Sequence, residues 1–465
     1  MTRRLLLISP TIFRAYDIRG VVDRELTEEA VRSVGQALAG QVLDAGLNKV
    51  CVGRDGRLSG PRLQNALAEG LMAGGCDVID VGQVPTPLLY FANHLLETGC
   101  GVVVTGSHNP PDYNGLKMVV AGTTLAESSI QALLSAIETG ALPTGSGTLG
   151  SKDVQPAYLE RITSDVKLAR PLKVVVDCGN GVTGGIAPQL LTALGCEIVE
   201  LFTEVDGNFP NHHPDPSKPE NLRDLIRVVA EQQADIGLAF DGDGDRVGVV
   251  TPQGDVVFPD RLMMLFARDL LTRDPGATIL YDVKCTRHLP RVIAEAGGNP
   301  VMCRTGHSLV KAEMKARKAA LAGEMSGHIF FGERWYGFDD GLYGACRLLE
   351  IISKDSRPVQ QIFDDLPDAV NTPELHIEMA EGEPHALVPK LIAAAEFAGA
   401  EVSTLDGIRV DFADGFGLAR PSNTTPVMVL RFEGDSEAAL QRIVGEFEAL
   451  FKKVVPEITF PDWRG

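Results

Sequence analysis

The sequence predicts an α/β protein: three similar domains, each a mixed sheet containing a βαβ unit, followed by a smaller α+β domain. Three observations carry that expectation. The chain has 465 residues, and a length of that order corresponds to about three domains, give or take one. A strand–turn–helix–strand pattern recurs three times along it. Beyond the proline-flanked stretch Pro367–Pro373 the pattern changes to short alternating strands and two helices, the composition of an α+β domain.

The first recurrence opens with Lys49-Val50-Cys51-Val52-Gly53-Arg54-Asp55, continues as a helical pattern to Gly74 and returns as a strand over Asp77–Val81. Lys173–Asp177 opens the second, with a helix over Ile186–Leu194 and a strand over Glu197–Phe202. The third reads as strand Ala277–Val283, helix Thr286–Ala296 and strand Pro300–Cys303. In the last region Glu374–Met379, Gly407–Phe412 and Val427–Phe432 read as strands, Pro384–Phe397 and Ser436–Val454 as helices. Aperiodic stretches rich in Pro, Gly, Ser and Thr near 140–154, 251–259 and 367–373 mark boundaries. The expected domains are therefore residues 1–153, 154–255, 256–368 and 369–465.

Composition narrows the function classes. Hydrophobic residues make up 44% and charged residues 23%, enough to bury several cores. A formal net charge of −19 argues against nucleic acid as a partner, which requires a clustered positive field. Any anionic ligand must then be met by locally concentrated Arg and Lys. The eight cysteines contain no CxxC pair and no zinc spacing, as expected of buried free thiols in a reducing compartment. The apolar run near the N-terminus ends after four residues at Ser9-Pro10, short of the roughly seven that a signal peptide needs. With no stretch of about 18 apolar residues, the expectation is a cytoplasmic protein without a membrane partner. No long apolar stripe demands a second copy, and a monomer is expected.

Two segments carry chemistry. Thr105-Gly106-Ser107-His108-Asn109-Pro110 follows the apolar run Gly101–Val104, so Ser107 stands where a buried strand emerges into a loop. A serine becomes a nucleophile or phosphate carrier when neighbours activate and orient it, and His108 is one such neighbour. Taken alone, the segment is also ordinary turn chemistry. Its weight comes from Asp241-Gly242-Asp243-Gly244-Asp245-Arg246. Alternate residues of an extended segment face one side, and three converging carboxylates repel unless a cation compensates them. An all-oxygen set prefers Mg²⁺, Ca²⁺ or Mn²⁺. An EF-hand fails, because its sixth position would be Arg246 and its twelfth Pro252. A hydroxyl nucleophile with a hard-metal site is the minimum kit for phosphoryl transfer.

Three further segments are weaker by themselves. Arg420-Pro421-Ser422-Asn423-Thr424-Thr425 joins a guanidinium fork to three hydroxyls and an amide, a set that suits a phosphate dianion and equally a solvated loop. Gly323-Glu324-Met325-Ser326-Gly327-His328 offers a carboxylate for sugar hydroxyls and an imidazole for proton transfer, or a tight turn. Lys117, Lys284 and Arg304-Thr305-Gly306-His307 follow predicted strands, where α/β ligands usually sit. A competing signal is Gly179-Asn180-Gly181-Val182-Thr183-Gly184, which matches GxGxxG, with Glu200 about 20 residues on. A dinucleotide-binding dehydrogenase would leave the serine, aspartate and arginine segments without a role, so the glycines read as turn formers.

Taken together, from Phe13-Arg14-Ala15-Tyr16-Asp17-Ile18-Arg19-Gly20 to the C-terminal region, the chain resembles the α-D-phosphohexomutases, most closely the bacterial phosphomannomutase/phosphoglucomutase group. That resemblance implies a four-domain, heart-shaped α/β protein with its active site in a central cleft. Carried over by motif, Ser107 would be the phosphoserine and, with Asp241, Asp243 and Asp245, would hold Mg²⁺. Glu324 and Ser326 would hold sugar hydroxyls. Arg420, Ser422, Asn423, Thr424 and Thr425 would clamp the phosphate that is not reacting. Tyr16, Arg19, Lys117, Arg246, Lys284, His307 and His328 would line the cleft, with Lys117 and His328 candidates for proton transfer. Pro421 stands where relatives often have a small residue, and it removes one backbone N–H.

The implied reaction is a reversible exchange of phosphate between C1 and C6 of glucose and mannose phosphates. It runs through phosphorylated Ser107 and a 1,6-bisphosphate, with glucose 1,6-bisphosphate as activator. The fourth domain, which carries the clamp, is expected to move as a lid. Rival readings are a phosphoglucosamine mutase, a metal-dependent sugar phosphatase, a non-catalytic sugar-phosphate sensor and a nicotinamide-nucleotide dehydrogenase. Phosphoglucosamine mutases usually carry Gln at the position of Met325.

Overall fold

The structure, a computed structural model, describes residues 8–423 and 425–463. They form two compact units. One takes the chain up to Pro259 with His307–Leu321 and Ser326–Asp365; the other takes Asp260–Gly306, Ala322–Met325 and the chain from Leu366 onward. Each unit is described by itself.

The first unit holds two mixed sheets. In one, the path runs Ile18–Val21, Tyr113–Val120, Gly101–Val104, Lys49–Arg54, Asp77–Gln83, Leu149–Ser151. The last four of these pair in parallel, while Tyr113–Val120 is antiparallel to both of its neighbours on the path. All four residues of Gly-Val-Val-Val at 101–104 are buried, which is why this strand reads as a continuous apolar run without alternation. Helix Glu28–Asp44 starts where Thr27 accepts a hydrogen bond from the Ala30 amide, with Glu28 and Glu29 in its first turn. Side-chain capping and acidic residues both favour a helix start there. Val31, Val34, Leu38 and Val42 of that helix and Leu63, Leu67 and Leu71 of helix Gly60–Ala73 share one core with the sheet.

The second sheet runs Val256–Val257, Val247–Val250, Ile236–Phe240, Lys173–Asp177, Glu197–Leu201. Its last three strands are parallel and its first two pair antiparallel. Phe240 is paired with Val247, so the aspartate triplet is the connection between two hydrogen-bonded strands. The three carboxylates thus converge by a turn, with Gly244 at φ +78°, and not by alternation along an extended segment.

Helix Gly341–Lys354 belongs to the same unit. Asp340 caps it, accepting from the Tyr343 amide, and Gly341 N donates to Gly244 O at 3.2 Å, tying the helix start to the aspartate turn. One turn further, Arg347 is 0% exposed; its Nη2 donates to Glu333 at 2.9 Å, and its Cζ lies 4.4 Å from the Phe331 ring centroid. Removing one member of a buried ion pair leaves an uncompensated charge at a cost of about 3–5 kcal/mol. Arg347→Met is expected to lower stability by about 3 kcal/mol, read as a drop in the urea midpoint. An unchanged midpoint would contradict it.

In the second unit, Thr278–Asp282 pairs in parallel with Asn299–Cys303. A six-stranded antiparallel sheet follows in the order Val370–Asn371, Val427–Gly434, Gly415–Pro421, Ile408–Phe412, Glu401–Ser403, with Leu375–Glu378 also on Val427–Gly434. Helices Glu383–Ala394 and Glu437–Val454 pack Leu387, Leu391, Ile443 and Phe447 against it. The strand Gly415–Pro421 lies in a stretch to which the sequence pattern assigns no element. Its glycines and proline mask the β pattern, although all seven residues are buried.

Candidate active site

Ser107 sits three residues past strand Gly101–Val104, at the end of a central parallel strand, the usual place for a ligand-facing loop. It is 1% exposed and takes φ +49°, a left-handed conformation that a non-glycine residue adopts at a cost. Its Oγ donates to Asp241 Oδ2 at 3.1 Å and lies 3.2 Å from His108 Nδ1. The two loops touch closely: a Cβ on Gly242 would stand 2.4 Å from the Ser107 carbonyl oxygen. Glycine at 242 is therefore what lets the serine reach the aspartates. Burial, and then the charges of Arg246, Arg19 and Lys117, hold His108 well below the ordinary histidine value. It is a neutral hydrogen-bonding partner at neutral pH.

Asp241, Asp243 and Asp245 are each 0% exposed and present oxygens within 4.8 Å of one another. Asp241 Oδ1 accepts from the amides of Gly244 and Arg246 at 3.0 and 3.2 Å. Asp243 Oδ2 accepts from Thr86 Oγ1 at 2.6 Å and Lys117 Nζ at 2.7 Å, and Lys117 Nζ also donates to Asp245. Among the described residues, Asp243 Oδ1 is buried without a hydrogen-bond partner, and Asp245 Oδ1 has His328 Nε2 3.4 Å away. Burial, with Asp245 and Asp243 beside it, pushes the Asp241 carboxyl well above the ordinary carboxylate range. Lys117 and Arg246, the latter 4.0 Å from Asp241, bring two positive charges against three carboxylates. An orphaned carboxylate oxygen and a carboxyl forced upward are what a divalent cation would relieve, so the residues present fit a metal.

Lys117, on strand Tyr113–Val120, is 3% exposed. Burial alone would lower it, but the Asp243 and Asp245 carboxylates raise it above the ordinary lysine value. It is held as a cation, a property that matters for the proton-transfer role expected of it.

Around this centre the first unit gathers most of the other expected residues. Arg246 Nε lies 3.3 Å from His328 Nε2 as donor, and Ser326 Oγ lies 3.0 Å from His328 Nδ1. The His307 and His328 rings are 5.6 Å apart, and Tyr16 meets His307 edge-on at 6.3 Å. Arg19 donates to Asn109 Oδ1 at 2.5 Å and to Asp17 at 2.5 Å, which ties it to the serine loop.

The second unit gathers a different set. Arg420, buried at the end of strand Gly415–Pro421, donates through Nε to Asp406 at 3.0 Å, and Thr305 N donates to the same carboxylate oxygen at 3.0 Å. Lys284 Nζ contacts Glu374 at 3.0 Å. The Lys284 charge draws Glu374 well below the ordinary carboxylate range. Glu324 accepts from the Gly306 amide at 2.5 Å. Ser422 and Thr425 hydroxyls lie 2.9 Å apart, and Asn423 Oδ1 lies 3.4 Å from His385 Nε2. Thr424 lies outside the described residues. Glu324 and Ser326, read from the sequence as one sugar-binding loop, fall in different units.

Asp55, Arg57, Thr86, Asp339, Lys311, Glu374 and Asp406 escaped the sequence reading. Lys311 Nζ pairs with Asp339 at 2.7 Å, and Asp339 approaches His307 Nδ1 at 3.4 Å. For Asp55 and Arg57 a signal existed: they follow a parallel strand as directly as Ser107 does. The glycine-rich segment has a structural job. Val182 N donates to Gly242 O at 3.2 Å, and Glu200 accepts from Thr203 Oγ1 at 2.7 Å. The glycines thus buttress the aspartate turn, and the acid proposed for a ribose is occupied locally. All eight cysteines are free and buried, as their spacing led us to expect. Among the described residues no helix is long and apolar enough to cross a membrane.

Comparison with known proteins identifies the family. Four family models match in order, described as Phosphoglucomutase/phosphomannomutase alpha/beta/alpha domains I, II and III over residues 10–143, 156–254 and 258–370, and C-terminal domain over 374–450. The phosphomannomutase/phosphoglucomutase of Pseudomonas aeruginosa is 55% identical over 460 residues, covering 99% of each chain. The phosphoglucomutase of Neisseria gonorrhoeae is 52% identical over 458 residues, 98% of this chain and 99% of that one. A crystal structure of a phosphoglucomutase/phosphomannomutase family protein from Burkholderia thailandensis superposes with a TM-score of 0.94 at 54% identity, covering 98% of this chain and all of that one. The serine loop, the buried aspartate turn and these matches along the whole length have one reading: the chain belongs to the phosphoglucomutase/phosphomannomutase family of α-D-phosphohexomutases.

Proposed function

We propose that the chain is a hexose-phosphate mutase that exchanges phosphate reversibly between C1 and C6 of glucose and mannose phosphates, an isomerase working through phosphorylated Ser107 and a 1,6-bisphosphate. The relatives' names support the mutase activity. The observation that carries the mechanism is the Ser107 hydroxyl, 3.1 Å from a carboxylate of a buried three-aspartate cluster. A carrier oxygen and a cation site in contact leave little choice but phosphoryl transfer.

In this reading Asp241, Asp243, Asp245 and Ser107 would hold Mg²⁺, which would offset charge on the phosphoryl group and on the attacking and leaving oxygens. Lys117, kept protonated by its carboxylates, contributes fixed positive charge to the same region. Arg246, whose charge is reinforced by Asp241 and Asp245 against the effect of burial, does likewise. His328 Nε2 lies 3.3 Å from Arg246 Nε and 3.4 Å from Asp245 Oδ1, and its Nδ1 lies 3.0 Å from Ser326 Oγ. A sugar hydroxyl that attacks the phosphoserine must lose a proton, and His328 is the candidate to take it, with the His108 imidazole beside the serine hydroxyl.

Arg420, Ser422, Asn423, Thr424, Thr425 and Lys284 would bind the phosphate that is not reacting. Arg420 and Lys284 are matched to Asp406 and Glu374, so an incoming dianion competes with internal carboxylates. Such competition keeps binding reversible, as a bisphosphate that must turn over requires. Glu324 would accept the 3- and 4-hydroxyls, contacts that ignore C2, where glucose and mannose differ. Coupled turnover of glucose 1-phosphate and mannose 1-phosphate, with a catalytic amount of glucose 1,6-bisphosphate, tests the reading. Formation of both 6-phosphates is expected, and release of inorganic phosphate in their place would overturn it.

A further inference from the structure

We propose that Arg57 is the positioning residue of the phosphoserine loop, setting the orientation of Ser107 through backbone carbonyls without touching substrate. The proposal rests on the reading of Ser107 as the phosphoryl carrier and names what holds it in register. Arg57 is 1% exposed and follows strand Lys49–Arg54, the parallel neighbour of Gly101–Val104. Its guanidinium makes a four-way clasp. Nη1 donates to Pro110 O at 2.5 Å and Tyr113 O at 2.9 Å; Nη2 donates to Ser107 O at 2.8 Å and Asn109 O at 2.6 Å.

The same segment is held from its other end. Asp55, 3.3 Å from Arg57 Nε, accepts from Thr105 Oγ1 at 2.8 Å and Gly106 N at 3.2 Å. Thr105 Oγ1 in turn accepts from Ser107 N at 2.8 Å. Both the amide and the carbonyl of Ser107 therefore end on the Asp55–Arg57 pair, directly or through one hydroxyl.

Physical chemistry explains why an arginine stands there. A left-handed serine persists only where its surroundings over-determine it. The loop turns four carbonyls toward the guanidinium, and that of Ser107 is buried, where a carbonyl needs a donor. Only guanidinium presents four coplanar N–H groups on two nitrogens; lysine offers three donors from a single point. Space is matched as well, since a Cβ on Gly106 would stand 2.5 Å from Arg57 Cζ. On the other side, the half-buried Phe209 ring lies 5.2 Å from Cζ, a cation–π contact that fixes the plane of the fork.

The test compares the native chain with Arg57→Lys and Phe209→Leu, assayed with Mg²⁺ and bisphosphate well below each variant's own melting temperature. A carrier displaced by about 1 Å loses about 100-fold in rate. Arg57→Lys is expected to lower kcat about 100-fold with KM within about twofold, because substrate-binding groups are untouched. Phe209→Leu should lower kcat in the same direction by about fivefold. Amide exchange over residues 106–113 should quicken in both variants, a readout that separates loop positioning from general destabilisation.

Arg57→Lys with kcat within about threefold of native, or with its loss carried entirely in KM, would overturn the proposal. Should that variant not fold, an unchanged kcat and unchanged exchange in Phe209→Leu would do so. A native chain that neither turns over nor acquires a phosphoryl group by mass would sink the mutase reading and this inference together. Native turnover beside a near-native Arg57→Lys would sink the inference alone.

Discussion

Ser107→Ala is expected to lower kcat for conversion of glucose 1-phosphate to glucose 6-phosphate by at least a thousandfold, about 4 kcal/mol of activation free energy. A group that forms a covalent bond in every cycle has no substitute in a methyl group, and the other proposed site residues supply only binding and charge. KM for what turnover persists should stay close to native, because the phosphate and hydroxyl contacts proposed above involve other side chains. The companion variant Ser107→Gly is expected to be as inactive yet more stable by about 1 kcal/mol, since glycine occupies the left-handed region at φ +49° without strain. That pairing of signs identifies a loop distorted to present a hydroxyl. A Ser107→Ala chain retaining a tenth of native activity would contradict a covalent carrier.

The second large effect concerns the aspartate turn. Chelation of divalent cations should reduce turnover to background, and added Mg²⁺ should restore it while raising the melting temperature; at a cation concentration of about 100 Kd the gain is about 2.7 kcal/mol. Asp241→Asn should divide activity from stability. Asparagine can still accept the Gly244 and Arg246 amides and donate toward Ser107, so the turn keeps its hydrogen bonds. One of three mutually repelling charges is gone, and the cation-free protein should gain about 1 kcal/mol of stability. Turnover with saturating Mg²⁺ should fall at least about a hundredfold, as for loss of a main electrostatic group. A variant less stable than native without cation would show that the buried carboxylates are compensated already.

Several features were legible before any coordinates. Strands Gly101–Val104 and Lys173–Asp177 are recovered with the bounds read from the sequence, because burial on both faces of a sheet writes itself into consecutive residues. The serine and aspartate segments were recognisable because their chemistry is local: a hydroxyl beside a histidine, carboxylates two apart. Their family resemblance rested on the same short motifs. The strand Gly415–Pro421 was not legible, since Gly, Ala and Pro carry no β signal and its order comes from neighbours on both sides.

What the amino-acid sequence determined alone is the inventory: which elements form and which reactive groups end their strands. Tertiary structure alone decided the pairings between groups remote in sequence. Lys117 against Asp243, Arg57 against the Ser107 loop, Gly181 beneath the aspartate turn and Asp406 against Arg420 join segments whose spacing encodes nothing about one another. The reason is physical. Local propensity and periodicity act over a few residues, whereas charge compensation and carbonyl satisfaction in a low-dielectric interior depend on which distant strands lie side by side.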